Sequence, residues 1–124
     1  GYDEEIHINK FSADILPQSD YERVKRELSD DFDLLEHEGN VVEFVPCGSS
    51  KATGIEWLRK YLDISPDDIV AVGDSVNDLD MLMYAGHSIA MGNASEPAKI
   101  AAEYVTTDIH EDGILNAMEH YELI

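Results

Sequence analysis

Basic residues are scarce in this chain. Eight lysines and arginines stand against 27 aspartates and glutamates, for a formal net charge of −19 at pH 7. That balance makes a nucleic-acid backbone or an anionic membrane surface an unfavourable partner. Cysteine is scarcer still: Cys47 is alone, which excludes an internal disulfide and fits a reducing cytoplasm. No apolar run approaches the ~20 residues of a membrane-spanning helix. The opening Gly1-Tyr2-Asp3-Glu4-Glu5 is too acidic for a signal peptide and lacks an initiator methionine, so a trimmed product is expected. There is no internal repeat and no low-complexity tract. The acidity is spread along the chain, as on a solvated surface, and suits either solubility or a salty habitat.

What is present is enough for a core. A chain of 124 residues, 44% of them hydrophobic, buries roughly two-thirds of its unfolded surface. Two patterns divide it near Val45–Gly48. In the first part, Glu5 to Leu16 reads as extended and ends at Pro17. Ser19-Asp20 offers a helix cap before Tyr21, Val24 and Leu28. Phe32 to Glu36 and Val41 to Val45 read as a hairpin around Glu38-Gly39-Asn40.

From Pro46 onward, helices alternate with strands. Ser50 caps a helix to about Leu62, with Trp57 expected to pack it onto the sheet. Ile69 to Val72 is a strand, Asn77 to Ala85 a short helix, and Ser88 to Met91 a strand. Glu96 to Glu103 is a helix, Tyr104 to Thr106 a strand, and Asp112 to Tyr121 the last helix. Alternation of this kind predicts an α/β fold with a parallel sheet.

The most telling stretch is Gly73-Asp74-Ser75-Val76-Asn77-Asp78. It follows the buried strand Ile69-Val70-Ala71-Val72, so Asp74 and Asp78 leave the carboxyl end of that strand, the edge where open α/β sheets bind ligands. Carboxylates there, with the Asn77 amide between them, suit a hard cation such as Mg²⁺ and the phosphate it would hold. Asp74 is best placed to touch the cation, and Asp78 acts through water or orients the site. The plain alternative is a turn with a helix cap. Lys51, at a helix start one βα unit earlier, is a candidate to neutralise a phosphate oxygen or to damp repulsion between the carboxylates.

Ser50-Lys51, then Val72 to Asp78, then Ala90-Met91-Gly92-Asn93-Ala94 resemble the C-terminal half of haloacid dehalogenase superfamily phosphatases. More narrowly, they resemble the Cof-type, class IIB capped enzymes. Met81-Leu82, Ala85-Gly86, Lys99, Tyr104-Val105-Thr106 and Glu111-Asp112-Gly113 extend the likeness over nearly all of 41–121. The resemblance implies a partial Rossmann-like core over 46–124, preceded by the end of an α+β cap over 1–45. It implies Mg²⁺ and transfer of a phosphoryl group to an aspartate and then to water, with a small phosphorylated metabolite as substrate. By the same resemblance Lys51 contacts phosphate and the nucleophile, Asn77 contacts phosphate, Asp74 binds the metal, and Asp78 supports the metal shell. Ala52, where many relatives have glycine, is a small departure.

The large departure is the missing Asp-x-Asp-Gly-Thr stretch that carries the family's nucleophile. Asp31-Phe32-Asp33 follows a charged run and lacks the Gly-Thr, and Asp78-Leu79-Asp80 lies within the metal motif. The family's phosphate-holding Ser or Thr is missing too. A C-terminal part, inactive by itself, is therefore expected, with self-association or a missing N-terminal half as its partner. The competing class is a non-catalytic acidic α/β module that binds a cation or a protein. A P-type pump domain carries a similar Gly-Asp-x-x-Asn-Asp stretch, but the absent membrane helices and the Cof-like ending, Val105 to Tyr121, count against it. His7, His37, His87, His110 and His120 have no ligand spacing. Cys47 reads as an incidental thiol, and Met81, Leu82 and Met83 as core-facing. Phe44 and Val45 read as part of a linker returning from cap to core.

Overall fold

The structure, a computed structural model, describes residues 10–37 and 39–124. The start of the expected extended segment from Glu5, His7 among the histidines, and Glu38 of the expected turn lie outside the described residues. The chain falls into two compact units, the first ending at Ser49 and the second running Ser50–Ile124.

Among the described residues, the first unit is a three-stranded antiparallel sheet with one helix. Its elements are β1 (Phe11–Asp14), α1 (Tyr21–Leu28), β2 (Phe32–Glu36) and β3 (Val41–Pro46). Asp20 caps α1 by accepting from the Arg23 amide at 3.2 Å. Left-handed backbone at Gly39 (φ 80°) and Asn40 (φ 64°) turns the chain into β3. Strand order is β1-β3-β2, so β3 is central. Its alternate residues Val42 and Phe44 are each only 2% exposed. Phe11 sits opposite Phe44 in register and stacks on it at 4.4 Å between centroids. Phe32 meets Phe11 edge-on at 5.4 Å. Phe44 and Val45 are therefore strand residues, as the hairpin reading of Val41 to Val45 expects, and the Phe44 ring is committed to the aromatic core of this sheet.

The second unit holds α2 (Lys51–Leu62), β4 (Val70–Gly73), α3 (Leu79–Tyr84), β5 (His87–Ala90), α4 (Glu96–Ala101), β6 (Tyr104–Val105) and α5 (Gly113–His120). The strands are parallel in the order β4-β5-β6, with α3 and α4 as the crossovers. The core is built mainly from small side chains: Ala71, Ala90, Ala94 and Ala98 pack with Leu82 and Met91. Leu82 and Ile89 are the largest fully buried residues, each stabilising by about 1.5–3 kcal/mol.

Two expectations about side chains are corrected. Trp57 is 68% exposed and stacks on Tyr61 at 5.6 Å instead of packing onto the sheet. The face of α2 turned to α3 carries Ala52, Glu56 and Arg59, which lie three and four residues apart. Trp57 follows Glu56 by one residue, so it points well away from that face. Met83 is 71% exposed for the same reason: Leu82 takes the inward position of α3 and its neighbour turns out.

Candidate functional site

The site begins where β4 runs out. After Gly73 the chain makes a short 3-10 turn, Val76–Asp78, before α3. Ser75 and Asp78 form a reciprocal capping box across that turn. Asp78 folds back beneath the strand end and is 4% exposed. Its Oδ2 accepts from the amides of Asp74 at 2.9 Å and Ser75 at 3.1 Å, and from the Ser75 hydroxyl at 3.3 Å. Glycine at 73 allows this. A Cβ there would stand 2.6 Å from the Asp78 Cβ and 3.0 Å from its Cγ and Oδ2.

Lys51 is the first residue of α2. Ser50 starts the helix with its own capping box, the Thr53 amide donating to Ser50 Oγ at 3.2 Å and the Ser50 amide to Thr53 Oγ1 at 2.8 Å. A cation at that position opposes the helix dipole. The opposition is answered from outside the helix, because the Lys51 ammonium donates to Asp78 Oδ1. Burial by itself would raise the Asp78 carboxyl. The Lys51 ammonium and the amides of Asp74 and Ser75 outweigh it and hold the group below the usual carboxylate range. Asp78 is thus a buried carboxylate with both oxygens occupied. The Lys51 side chain remains 56% exposed, so its other ammonium hydrogens face solvent.

A polar network ties α2 to α3 further along. Arg59 Nε donates to Glu56 Oε2 at 2.6 Å, Arg59 Nη2 to Glu56 Oε1 at 3.0 Å, and Lys60 pairs with Glu56 Oε1 at 2.6 Å. The Tyr84 hydroxyl donates to the same carboxylate. Hydrogen bonds from Lys60, Tyr84 and Arg59 lower the Glu56 carboxyl to about 2. Polar residues at helix-surface spacing look solvated in sequence, so nothing there pointed to this network. Nor did anything reveal that the Ala52 amide reaches Asp80 Oδ2, at 3.3 Å.

Of the residues singled out from sequence, the structure brings Lys51 and Asp78 into contact. Asp74 lies exposed at the end of β4, and its carbonyl accepts from the Ser95 amide at 2.8 Å. The Gly92-Asn93-Ala94 loop therefore leads directly to Asp74. Asn77 is half-buried in the same turn and is not without a partner. Among the described residues, no three His, Cys, Asp or Glu side chains gather as a ready-made metal cage. The available donors are Asp74 and, less openly, Asp78. Mg²⁺ commonly takes only one or two carboxylates and completes its shell with water and phosphate oxygens, so the donor set fits that ion.

Residues set aside from sequence stay outside this site. His87 pairs with Glu103 at 3.2 Å, and His120 stacks on Tyr104 at 3.9 Å. Cys47 is an exposed residue, and partial desolvation of its thiol together with the carboxylates of Asp33, Asp31 and Asp30 raises it, the opposite of an activated nucleophile. No described helix is long and apolar enough to cross a membrane.

The profile of the haloacid dehalogenase-like hydrolase family matches residues 2–118. Two Bacillus subtilis relatives, YitU and YcsE, are 5-amino-6-(5-phospho-D-ribitylamino)uracil phosphatases. YitU is 35% identical over 82 residues, 66% of this chain and 30% of that protein. YcsE is 31% identical over 116 residues, 92% of this chain and 47% of that protein. Among solved structures, a subclass IIB sugar phosphatase of the haloacid dehalogenase superfamily superposes with a TM-score of 0.73 at 33% identity. That match covers 84% of this chain and 41% of the other. The chain spans less than half the length of each of these three proteins.

Proposed function

We propose, from the premise that this chain belongs to the haloacid dehalogenase-like hydrolases, that it is the phosphate- and metal-holding C-terminal part of a Mg²⁺-dependent phosphomonoesterase. The observation that carries the reading is the Lys51 ammonium held on buried Asp78 beside exposed Asp74 at the carboxyl end of β4. Those groups match what transfer of a phosphoryl group requires, which is fixed positive charge and oxygen ligands at one edge.

Each residue has a distinct task in this reading. Lys51, with donors to spare, binds a phosphate oxygen. Asn77 offers its amide to the same group. Asp74 holds the cation, and Asp78 keeps both Lys51 and the turn in place. With its carboxyl held low, Asp78 carries no proton at neutral pH and does not serve as an acid there. When bound, Mg²⁺ neutralises charge on the phosphate. The phosphoryl group passes to an aspartate and then to water. That aspartate is not one of this chain's residues, since its Asp-x-Asp pairs lack the family's Gly-Thr continuation.

The substrate class suggested by the relatives is a small sugar- or polyol-phosphate metabolite, met in the cytoplasm. β4 has one sheet neighbour, β5, among the described residues. We place the contact with a second copy or further chain at its open edge. The other reading, a non-catalytic acidic module, is favoured by no specific contact.

The test is Mg²⁺ binding by the 124-residue chain, followed by amide NMR, together with hydrolysis of a generic phosphate monoester. Mg²⁺ should perturb residues 73–78, the effect should vanish in Asp74→Asn, and hydrolysis should not exceed that of the variant. Equal Mg²⁺ response in both proteins would overturn the metal assignment. Hydrolysis abolished by Asp74→Asn would overturn the claim that the nucleophile lies elsewhere.

A further inference from the structure

We propose that Asp80 is a positioning residue that anchors the start of α2, and with it Lys51, to the turn after β4. The inference deepens the reading above, because it concerns how the phosphate-binding lysine is aimed.

The first four amides of a helix have no partner inside it and must find one elsewhere. In α2 the Ser50 amide is taken by Thr53 Oγ1 and the Thr53 amide by Ser50 Oγ. The Ala52 amide, next to Lys51, is instead taken by Asp80 Oδ2 at 3.3 Å. The other oxygen of Asp80 accepts from the Met81 amide at 2.8 Å, which fixes the carboxylate's orientation at the start of α3. One carboxylate thus serves two helix starts.

The charge pattern makes the same demand. The first turn of α2 contains no acidic residue, yet it opens with a cation. Both features disfavour a helix start. Asp78 and Asp80, both from the other side of the contact, supply the missing negative charge. They hold neighbouring points on α2, Asp78 the Lys51 ammonium and Asp80 the amide one residue on. A side chain on a single anchor can swing; with its own backbone also tied, its reach is set.

The experiment compares the full chain with Asp80→Ala and Asp80→Asn, in the absence of metal and phosphate. Two rates are read: hydrogen exchange at the Ala52 amide, and acetylation of Lys51 relative to Lys10 in the same molecule. Asp80→Ala should speed Ala52 exchange by about five- to tenfold, the scale of a lost cap. Lys51 acetylation should rise by about threefold as its ammonium leaves the ion pair more often. β5 amides and Lys10 should keep their rates. Asp80→Asn retains one acceptor without the charge and should fall between, and it carries the comparison if Asp80→Ala does not fold. Unchanged rates at Ala52 and Lys51 would overturn the proposal. So would a rise shared equally by β5 and Lys10, which would mean general loosening. Neither rate involves metal, phosphate or turnover, so a failure of the proposed phosphatase reading would be seen separately.

Discussion

Replacing Gly73 by alanine puts a methyl group where the Asp78 side chain already is. The new Cβ would lie 2.6 Å from the Asp78 Cβ and 3.0 Å from Cγ and Oδ2, whereas carbon atoms rest comfortably at about 3.5–4.0 Å. Something must move by about 1 Å. The neighbour that must yield is tied by the amides of Asp74 and Ser75 and by the Lys51 ammonium. Overpacking costs about 1–3 kcal/mol, and a lost hydrogen bond to a charged group adds about 1.5–3 kcal/mol. A total of about 2.5–6 kcal/mol follows if one such bond breaks, a large share of the ~5–15 kcal/mol a domain has. Urea unfolding followed by circular dichroism measures it. Asp78→Gly deletes all three colliding atoms, so Gly73→Ala in that background should cost less by about 2 kcal/mol or more. The reasoning is refuted by a Gly73→Ala protein within about 0.5 kcal/mol of the parent, or by additive costs in the double variant.

Three further outcomes are expected. Glu56 titrates at about 2 instead of 4.5 because of Lys60, Tyr84 and Arg59. The stability it contributes is fully present above pH 4.5 and is lost as pH falls toward 2. Glu56→Gln should flatten that acid limb, and an unchanged pH slope would contradict the network. With a net charge of −19, raising KCl from 0.01 to 1 M shortens the screening length from ~30 to ~3 Å. The thermal midpoint should then rise by about 5 °C or more, and a fall would show that self-repulsion is not a major cost. Trp57, 68% exposed, should emit as a solvated indole and be readily quenched by acrylamide; blue-shifted, unquenched emission would mean the α2 face is covered in solution.

Local signals carried the sequence reading a long way. The caps at Asp20 and Ser50, the hairpin strands Phe32–Glu36 and Val41–Pro46, and the alternation from Lys51 onward all stand near their expected bounds. Each is set by residues close in sequence. The pairing of Phe11 with Phe44 was not legible, because it joins strands separated by a helix and a third strand. Trp57 was expected against the sheet, but helical period tells which residues share a face and not whether that face is covered. In the site, Lys51 and Asp78 stood out by residue type and topology. Asp80 and Glu56 did not, because a carboxylate on a helix looks solvated until its partner on the next helix is known.

The order β4-β5-β6 also bears on how quickly the second unit forms. β5 lies in the middle and pairs with the strand just before it and the strand just after it, so neighbours in the sheet are neighbours in the chain. Each link is a single crossover carrying one helix, and the entropy of closing it grows only slowly with its length. β5 is thus a natural nucleus, able to collect β4 and β6 within one growing stretch of polypeptide. Ile89→Val should slow refolding in stopped-flow measurements more than it speeds unfolding. An effect confined to unfolding would place the nucleus elsewhere. The unit that holds Lys51 and Asp78 would then acquire its sheet in a single early step, before any slower association begins.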